Sequence, residues 1–127
     1  MSYDEENQEI ALRYVQYYSG RDLGPEHPDH QIIEALQELA VNDPLRTWDI
    51  IQQINAVPVV DKDWRKILYA LIGCGELETI IALHPDVVLP KILAKAATDA
   101  TVRAELATIY EESLDSDVWA EIQRVIR

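Results

Sequence analysis

Apolar residues recur at helical spacing along most of the chain, and short polar or glycine-containing breaks separate the recurring segments. In residues 4–19, Ile10, Tyr14 and Tyr18 fall on one stripe, which predicts an amphipathic helix. The same periodicity predicts further helices at 28–41, 44–56, 61–72 and 76–84, in a segment that starts after Asp86, at 99–110 and at 115–127. About eight helices with short links are therefore expected, and no segment has a strand pattern with a partner.

The central stretch, residues 61–84, is predicted to be a helix, a glycine break and a second helix. Gly73 and Gly75 are expected to end the first helix, because glycine readily adopts left-handed conformations. Glu76 and Glu78 would then open the second helix, where negative charge suits the positive end of the helix dipole. A helix pair of this kind needs neighbours to bury its apolar faces.

Polar residues and prolines mark several helix boundaries. Asp43 and Pro44 are typical of an N-cap and a first helical position. Asp61 or Asp63 can cap the next helix. Pro90 would remove a hydrogen bond from a helix that began near Asp86, so a later start is expected there.

The chain of 127 residues is 48% hydrophobic, which suits one helical domain spanning residues 1–127. The expected fold class is all-α. The pattern is compatible with an irregular bundle and with a HEAT-like α–α stack, and it does not separate the two.

Charge and composition narrow the function classes. A net charge of −12 argues against binding to nucleic acids or to anionic membrane surfaces. The chain has no run of eighteen apolar residues, and its acidic start lacks the apolar core of a secretion signal. Cys74 is the single cysteine, which excludes an internal disulfide and favours a cytoplasmic setting.

The negative charge is concentrated in the first third of the chain. Residues 1–43 carry ten acidic and two basic side chains, a net charge of −8, and four of the six tyrosines. Tyrosine is favoured in contact surfaces, although at helical spacing it more often belongs to a core. We predict a partner-binding surface in this region. Its candidate residues are Tyr3, Asp4, Glu5, Glu6, Tyr17, Asp22, Glu26, Asp29, Glu34 and Glu38.

Part of the chain resembles a family of small bacterial helical proteins known only as a domain of unknown function. The resemblance covers roughly residues 40–122. It is carried by Asp43, Pro44, Trp48, Gly75, Leu77, Glu78, Arg103 and Leu106. It implies a helical fold and no particular activity, because none of these motifs is a catalytic signature. Cys74–Gly75–Glu76 departs from the family, which more often has a Gly-Pro-like turn here.

Residues that could carry chemistry are few. His27 and His30 are too few ligands to predict a metal site, and a structural reading of His84 and Cys74 is favoured. The chain has no phosphate-binding loop, nucleophile elbow or zinc-protease motif. We therefore expect no enzymatic activity and no cofactor.

Three functional hypotheses remain open. The favoured one is a non-enzymatic module that binds a basic protein, such as an immunity or antitoxin-type inhibitor of a cationic bacterial toxin. The second is a small enzyme or ligand-binding protein in which Cys74, Glu78 and His84 converge around the central turn. The third is a self-associating scaffold. The sequence leaves the oligomeric state open.

Overall fold

The computed structural model describes residues 3–19 and 28–126, and within these ranges the protein is all-α, without strands. This confirms the predicted fold class. The α-helices are α1 (Tyr3–Ser19), α2 (His30–Asn42), α3 (Pro44–Ala56), α4 (Lys62–Ile72), α5 (Glu78–Leu83), α6 (Pro85–Ala96), α7 (Ala100–Leu106) and α8 (Ser116–Ile126). A 3-10 turn, Glu111–Ser113, precedes α8.

A π turn, Gly73–Leu77, joins α4 to α5. The backbone departs from helical geometry at Gly75, with φ −102° and ψ −109°, so α4, the π turn and α5 form one kinked helix. The break predicted at Gly73 and Gly75 is present, since α4 ends at Ile72 and the backbone kinks at Gly75. The left-handed conformations predicted for these glycines were wrong. No glycine in the described ranges has a positive φ, and Gly73 is itself helical.

The helices pack in two rows. In the first row α1 contacts α3, α3 contacts α6, and α6 contacts α8. In the second row the kinked helix contacts α2 on one side and α7 on the other. Contacts of α3 with α2, and of α6 with α5 and α7, join the two rows.

The core lies between the two rows and is built largely from aliphatic side chains. Its fully buried members include Ile50, Ile51 and Ile54 of α3, Ile80 and Ile81 of α5, Ile92 of α6, Leu106 of α7 and Ile122 of α8. Two large apolar side chains at helical spacing with core residues are nevertheless exposed, Ile67 by 53% and Tyr110 by 66%. Ile67 lies at the edge of the α4 arc, while Tyr110 lies beyond the end of α7, where the helical phase no longer applies.

Local capping explains several helix starts. The Asp43 carboxylate accepts a hydrogen bond from the Arg46 backbone N–H, and Pro44 occupies the first turn of α3. The Asp61 carboxylate accepts from the backbone N–H groups of Asp63 and Trp64, so Asp61 is the cap of α4.

Helix α6 begins at Pro85 and continues through Pro90, so the expected later start was wrong. Pro90 leaves the Asp86 carbonyl without its usual helical donor. Both residues are exposed, and water can therefore solvate that carbonyl. None of the described helices combines the length and the apolar character needed to cross a bilayer.

Candidate functional site

The predicted partner-binding region contains a surface formed by α1 and α2. Asp4, Glu5, Glu34 and Glu38 are exposed on these two helices, and Glu6 is half-exposed. Helices α1 and α2 contact each other and both contact α3, so these helices form one end of the protein. Asp4 of α1 accepts hydrogen bonds from Gln8 and from Gln53 of α3. We call Asp4, Glu5, Glu6, Glu34 and Glu38 the acidic surface.

A shallow groove of about 360 Å³ lies between α1 and α2. Ile10, Ala35 and Leu39 provide its apolar part, with Glu38 and Arg46 also lining it. Arg46 Nη2 donates to Glu6 Oε2 over 3.2 Å, so one acidic side chain of this end already has a cation beside it. Glu34 lies one helical turn before Glu38 and is 3.0 Å from His30 Nε2.

Tyr17 does not belong to this surface. Its side chain is only 4% exposed, which corrects its prediction as a contact residue. Its hydroxyl lies 3.0 Å from His30 Nδ1, and its ring packs edge-on against Tyr18. Tyr17 is therefore a core residue at the contact between α1 and α2.

Asp29 has a structural role beside the acidic surface. It is half-buried, and Arg13 Nε donates to its carboxylate over 2.8 Å. This pair ties α1 to the start of α2. Among the other predicted contact residues, Asp22, Glu26 and the side chain of Tyr3 lie outside the described residues.

The alternative site around the central turn is not assembled as predicted. Cys74 is exposed, and its thiol donates to the Thr108 carbonyl at the end of α7. His84 is half-buried and its Nε2 lies 2.7 Å from the Val41 carbonyl at the end of α2. Cys74 is therefore hydrogen-bonded toward α7 and His84 toward α2, so the two do not form one site. The structural role favoured for His84 fits its half-buried, hydrogen-bonded position.

The side chain that the central turn places in the interior is Glu76. It is 6% exposed, and Tyr14 donates its hydroxyl to Glu76 Oε2 over 3.4 Å. Burial raises the pKa of Glu76, while hydrogen bonds from its own backbone and from Tyr14 oppose that rise. Burial and the nearby Glu76 carboxylate raise the pKa of Tyr14. Glu76 is thus a buried carboxyl, whereas the sequence pattern indicated an exposed helix start.

A second buried carboxyl belongs to Glu105 on α7. The residue is fully buried, and Asn55 Nδ2 donates to its Oε1 over 3.0 Å. Its Oε2 has no hydrogen-bond partner in the structure. Burial raises the pKa of Glu105 to about 8, against the lowering effect of the Asn55 hydrogen bond. Only one hydrogen bond offsets the cost of burying this carboxyl, which is consistent with its staying protonated near neutral pH.

Helical spacing could have identified both buried carboxyls. Glu105 lies three residues after Val102 and four before Ile109, on the apolar arc of α7 and its extension. Glu76 lies four residues before Ile80, on the inner face of the kinked helix. The Arg103 guanidinium donates to the Ala96 carbonyl over 2.7 Å.

No three His, Cys, Asp or Glu side chains in the described ranges lie close enough together to hold a metal ion. His27, one of the two histidines weighed as metal ligands, lies outside the described residues.

Comparison with known proteins leaves the resemblance to the bacterial helical family as a prediction. No family model matched the chain, and no curated protein or solved structure matched it. The function is therefore argued from the chain's own geometry.

Proposed function

We propose that this protein is a non-enzymatic module that binds a basic partner protein through the acidic surface and the groove between α1 and α2. An immunity or antitoxin-type inhibitor of a cationic bacterial toxin is the specific form of this proposal. The observation that carries it is the placement of an apolar groove beside exposed carboxylates on the same two helices.

The chemistry of protein interfaces supports this combination. Apolar groove residues such as Ile10 and Leu39 can receive side chains from a partner, while charged groups at the rim orient it. Exposed carboxylates attract a cationic partner over a distance of about 8–10 Å at moderate ionic strength. This attraction accelerates association and disfavours acidic partners.

Arg46, a cation already present at this end, is paired with neighbouring side chains, and the remaining negative charge favours a basic partner. Arg46 is 19% exposed and is engaged by Glu6, with its Nε donating to Asn7 over 3.0 Å. Of the described residues 3–19 and 28–42, seven carry carboxylates and Arg13 alone carries a permanent positive charge. A net negative charge therefore remains at this end even after the internal pairs are counted.

The proposal can be tested by affinity capture from an extract of the organism that encodes the chain. The wild-type protein is expected to retain a basic protein at 50 mM salt and to lose most of it at 500 mM salt. The double variant Glu34→Gln/Glu38→Gln should retain much less. A matched control, Glu111→Gln/Glu112→Gln, removes the same charge from exposed residues of the 3-10 turn and should retain the wild-type amount.

Two results would contradict the proposal. One is capture of no basic protein under either condition. The other is an equal loss in both double variants, because that would assign any binding to the total charge of −12 and not to the acidic surface.

A further inference from the structure

A second groove, of about 510 Å³, lies beside the π turn and is separate from the acidic surface. Tyr18 of α1, Gln37 of α2 and residues of α4 line it together with Glu76. Its size falls within the range of roughly 300–1,000 Å³ that is typical of small-molecule sites. We call it the Glu76 groove.

One wall of the Glu76 groove is apolar. Ile67, Ala70 and Leu71 follow one another along α4 at helical spacing and all line it. The 53% exposure of Ile67 is thereby explained as exposure to this groove and its mouth. An aliphatic ligand could cover this wall and remove apolar surface from water.

The groove also has an acidic residue, Glu76, in addition to its apolar wall. The residue as a whole is only 6% exposed, and it is among those that line the groove. Among the described residues, none of the ion pairs involves Glu76. It accepts a hydrogen bond from its own backbone and a long one, at 3.4 Å, from Tyr14. A buried carboxylate without a cation is costly, and a cationic ligand would remove that cost.

We infer that the Glu76 groove binds a small organic amine, whose ammonium group pairs with the Glu76 carboxylate and whose apolar body lies along Ile67, Ala70 and Leu71. The inference is independent of the proposed protein partner, because the acidic surface and the Glu76 groove share no residue. The raised pKa of Glu76 fits this role, since a bound ammonium would favour the ionised form that burial disfavours.

Glu105 provides an internal contrast. It is also a buried carboxyl, but Asn55 satisfies one oxygen and the residue lines none of the grooves described above. Glu105 therefore lies away from these grooves, whereas Glu76 is among the residues that line one of them. The comparison explains why the ligand is assigned to Glu76.

The test uses n-hexylammonium and its neutral counterpart hexan-1-ol as probes at pH 7, with backbone amide NMR shifts as the readout. Hexylammonium is expected to shift the amides of Ala70, Leu71, Cys74 and Gly75 saturably. It should bind about tenfold more tightly than hexanol, the difference that a charge-assisted hydrogen bond supplies. Equal affinities for the two probes would overturn the inference.

Variants separate the groove from general attraction to a negatively charged protein. Glu76→Gln should abolish the preference for the amine, whereas Glu78→Gln removes the same charge from the adjacent helix outside the groove and should keep it. Persistence of the preference in Glu76→Gln, or its equal loss in both variants, would refute the assignment. Ala70→Phe fills the groove from an exposed position without touching Glu76 and should lose both probes. Unchanged binding in Ala70→Phe would also refute it, even if Glu76→Gln failed to fold.

Discussion

Gly73 in the π turn packs directly against the backbone carbonyl of Glu105 on α7. A Cβ at position 73 would overlap the Glu105 carbonyl oxygen and the Thr108 hydroxyl. The glycine is therefore required for the close approach of two helices in the second row, and not for an unusual backbone conformation. Thr108 Oγ1 donates to the same Glu105 carbonyl over 2.7 Å, which fixes that end of α7.

Replacing this glycine should be costly. Gly73→Ala is expected to lower the free energy of unfolding by about 1–3 kcal/mol or more, because the overlapping Glu105 atom is backbone and cannot rotate away. Urea unfolding followed by circular dichroism measures the loss. Gly75→Ala is the matched control, since a Cβ there meets no atom within 4 Å. A loss in Gly75→Ala as large as that in Gly73→Ala would contradict this account.

Glu105 should make stability fall as pH rises. Its folded pKa of about 8 exceeds its ordinary value of 4.5, so between these values the folded protein holds a proton that the unfolded chain has released. The free energy of unfolding should then decrease by up to about 1.4 kcal/mol per pH unit in this window. Glu76 contributes in the same direction, because its pKa is also raised.

Glu105→Gln removes the titrating carboxyl, so unfolding should release about one proton fewer in this pH window. Unfolding measured from pH 5 to pH 9 should show a shallower slope than that of the wild type, and the variant should gain most relative to the wild type at the alkaline end. An exposed counterpart, Glu112→Gln, should leave the slope unchanged. If the free energy of unfolding depended on pH in the same way in Glu105→Gln and the wild type, the pKa of Glu105 would be the same in the folded and unfolded states.

Tyr14→Phe should raise the pKa of Glu76 further, because the Tyr14 hydroxyl favours the ionised carboxylate. The cost in stability should be about 1 kcal/mol, at the low end for a buried hydrogen bond in view of the 3.4 Å distance. Carboxyl carbon NMR shifts across a pH titration report the pKa. A lower or unchanged value for Glu76 in Tyr14→Phe would exclude the hydrogen bond as a contributor.

The start of α4 offers a comparison between two adjacent aspartates. Asp61→Ala should cost about 1 kcal/mol, since its carboxylate accepts hydrogen bonds from two backbone N–H groups. Asp63→Ala should cost about 0.5 kcal/mol or less, because Asp63 contributes only charge to the first turn. Thermal unfolding of both variants at the same pH measures the order, and a reversed order would assign the cap to Asp63.

Local features of the sequence were sufficient to locate most helices. The third helix was predicted at 44–56 and found at Pro44–Ala56, because its cap, its proline and its apolar stripe all lie within the segment. Asp99 likewise caps α7 by accepting from the Thr101 and Val102 backbone N–H groups. The start of α6 was predicted wrongly from Pro90. The cost of a proline in a helix depends on whether water can reach the carbonyl that it leaves free.

The candidate sites were less predictable. The exposure of Glu34 and Glu38 followed from helical phase alone, since both lie opposite the apolar stripe of α2. Tyr17 could be placed only once α1, α2 and the neighbouring rings were packed together. The burial of Glu76 depends on Tyr14, which is 62 residues away in the chain.

The sequence by itself determined the all-α class, the helix positions, most of the caps and the concentration of negative charge in the first third. These properties follow from residues within a few turns of each other or from simple counts. Tertiary structure alone decided which helices contact each other, the approach of Gly73 to Glu105 and the hydrogen-bond partners of the two buried carboxyls. Each of these depends on which distant helices meet, and burial in turn sets the packing limits and the pKa values of the residues involved.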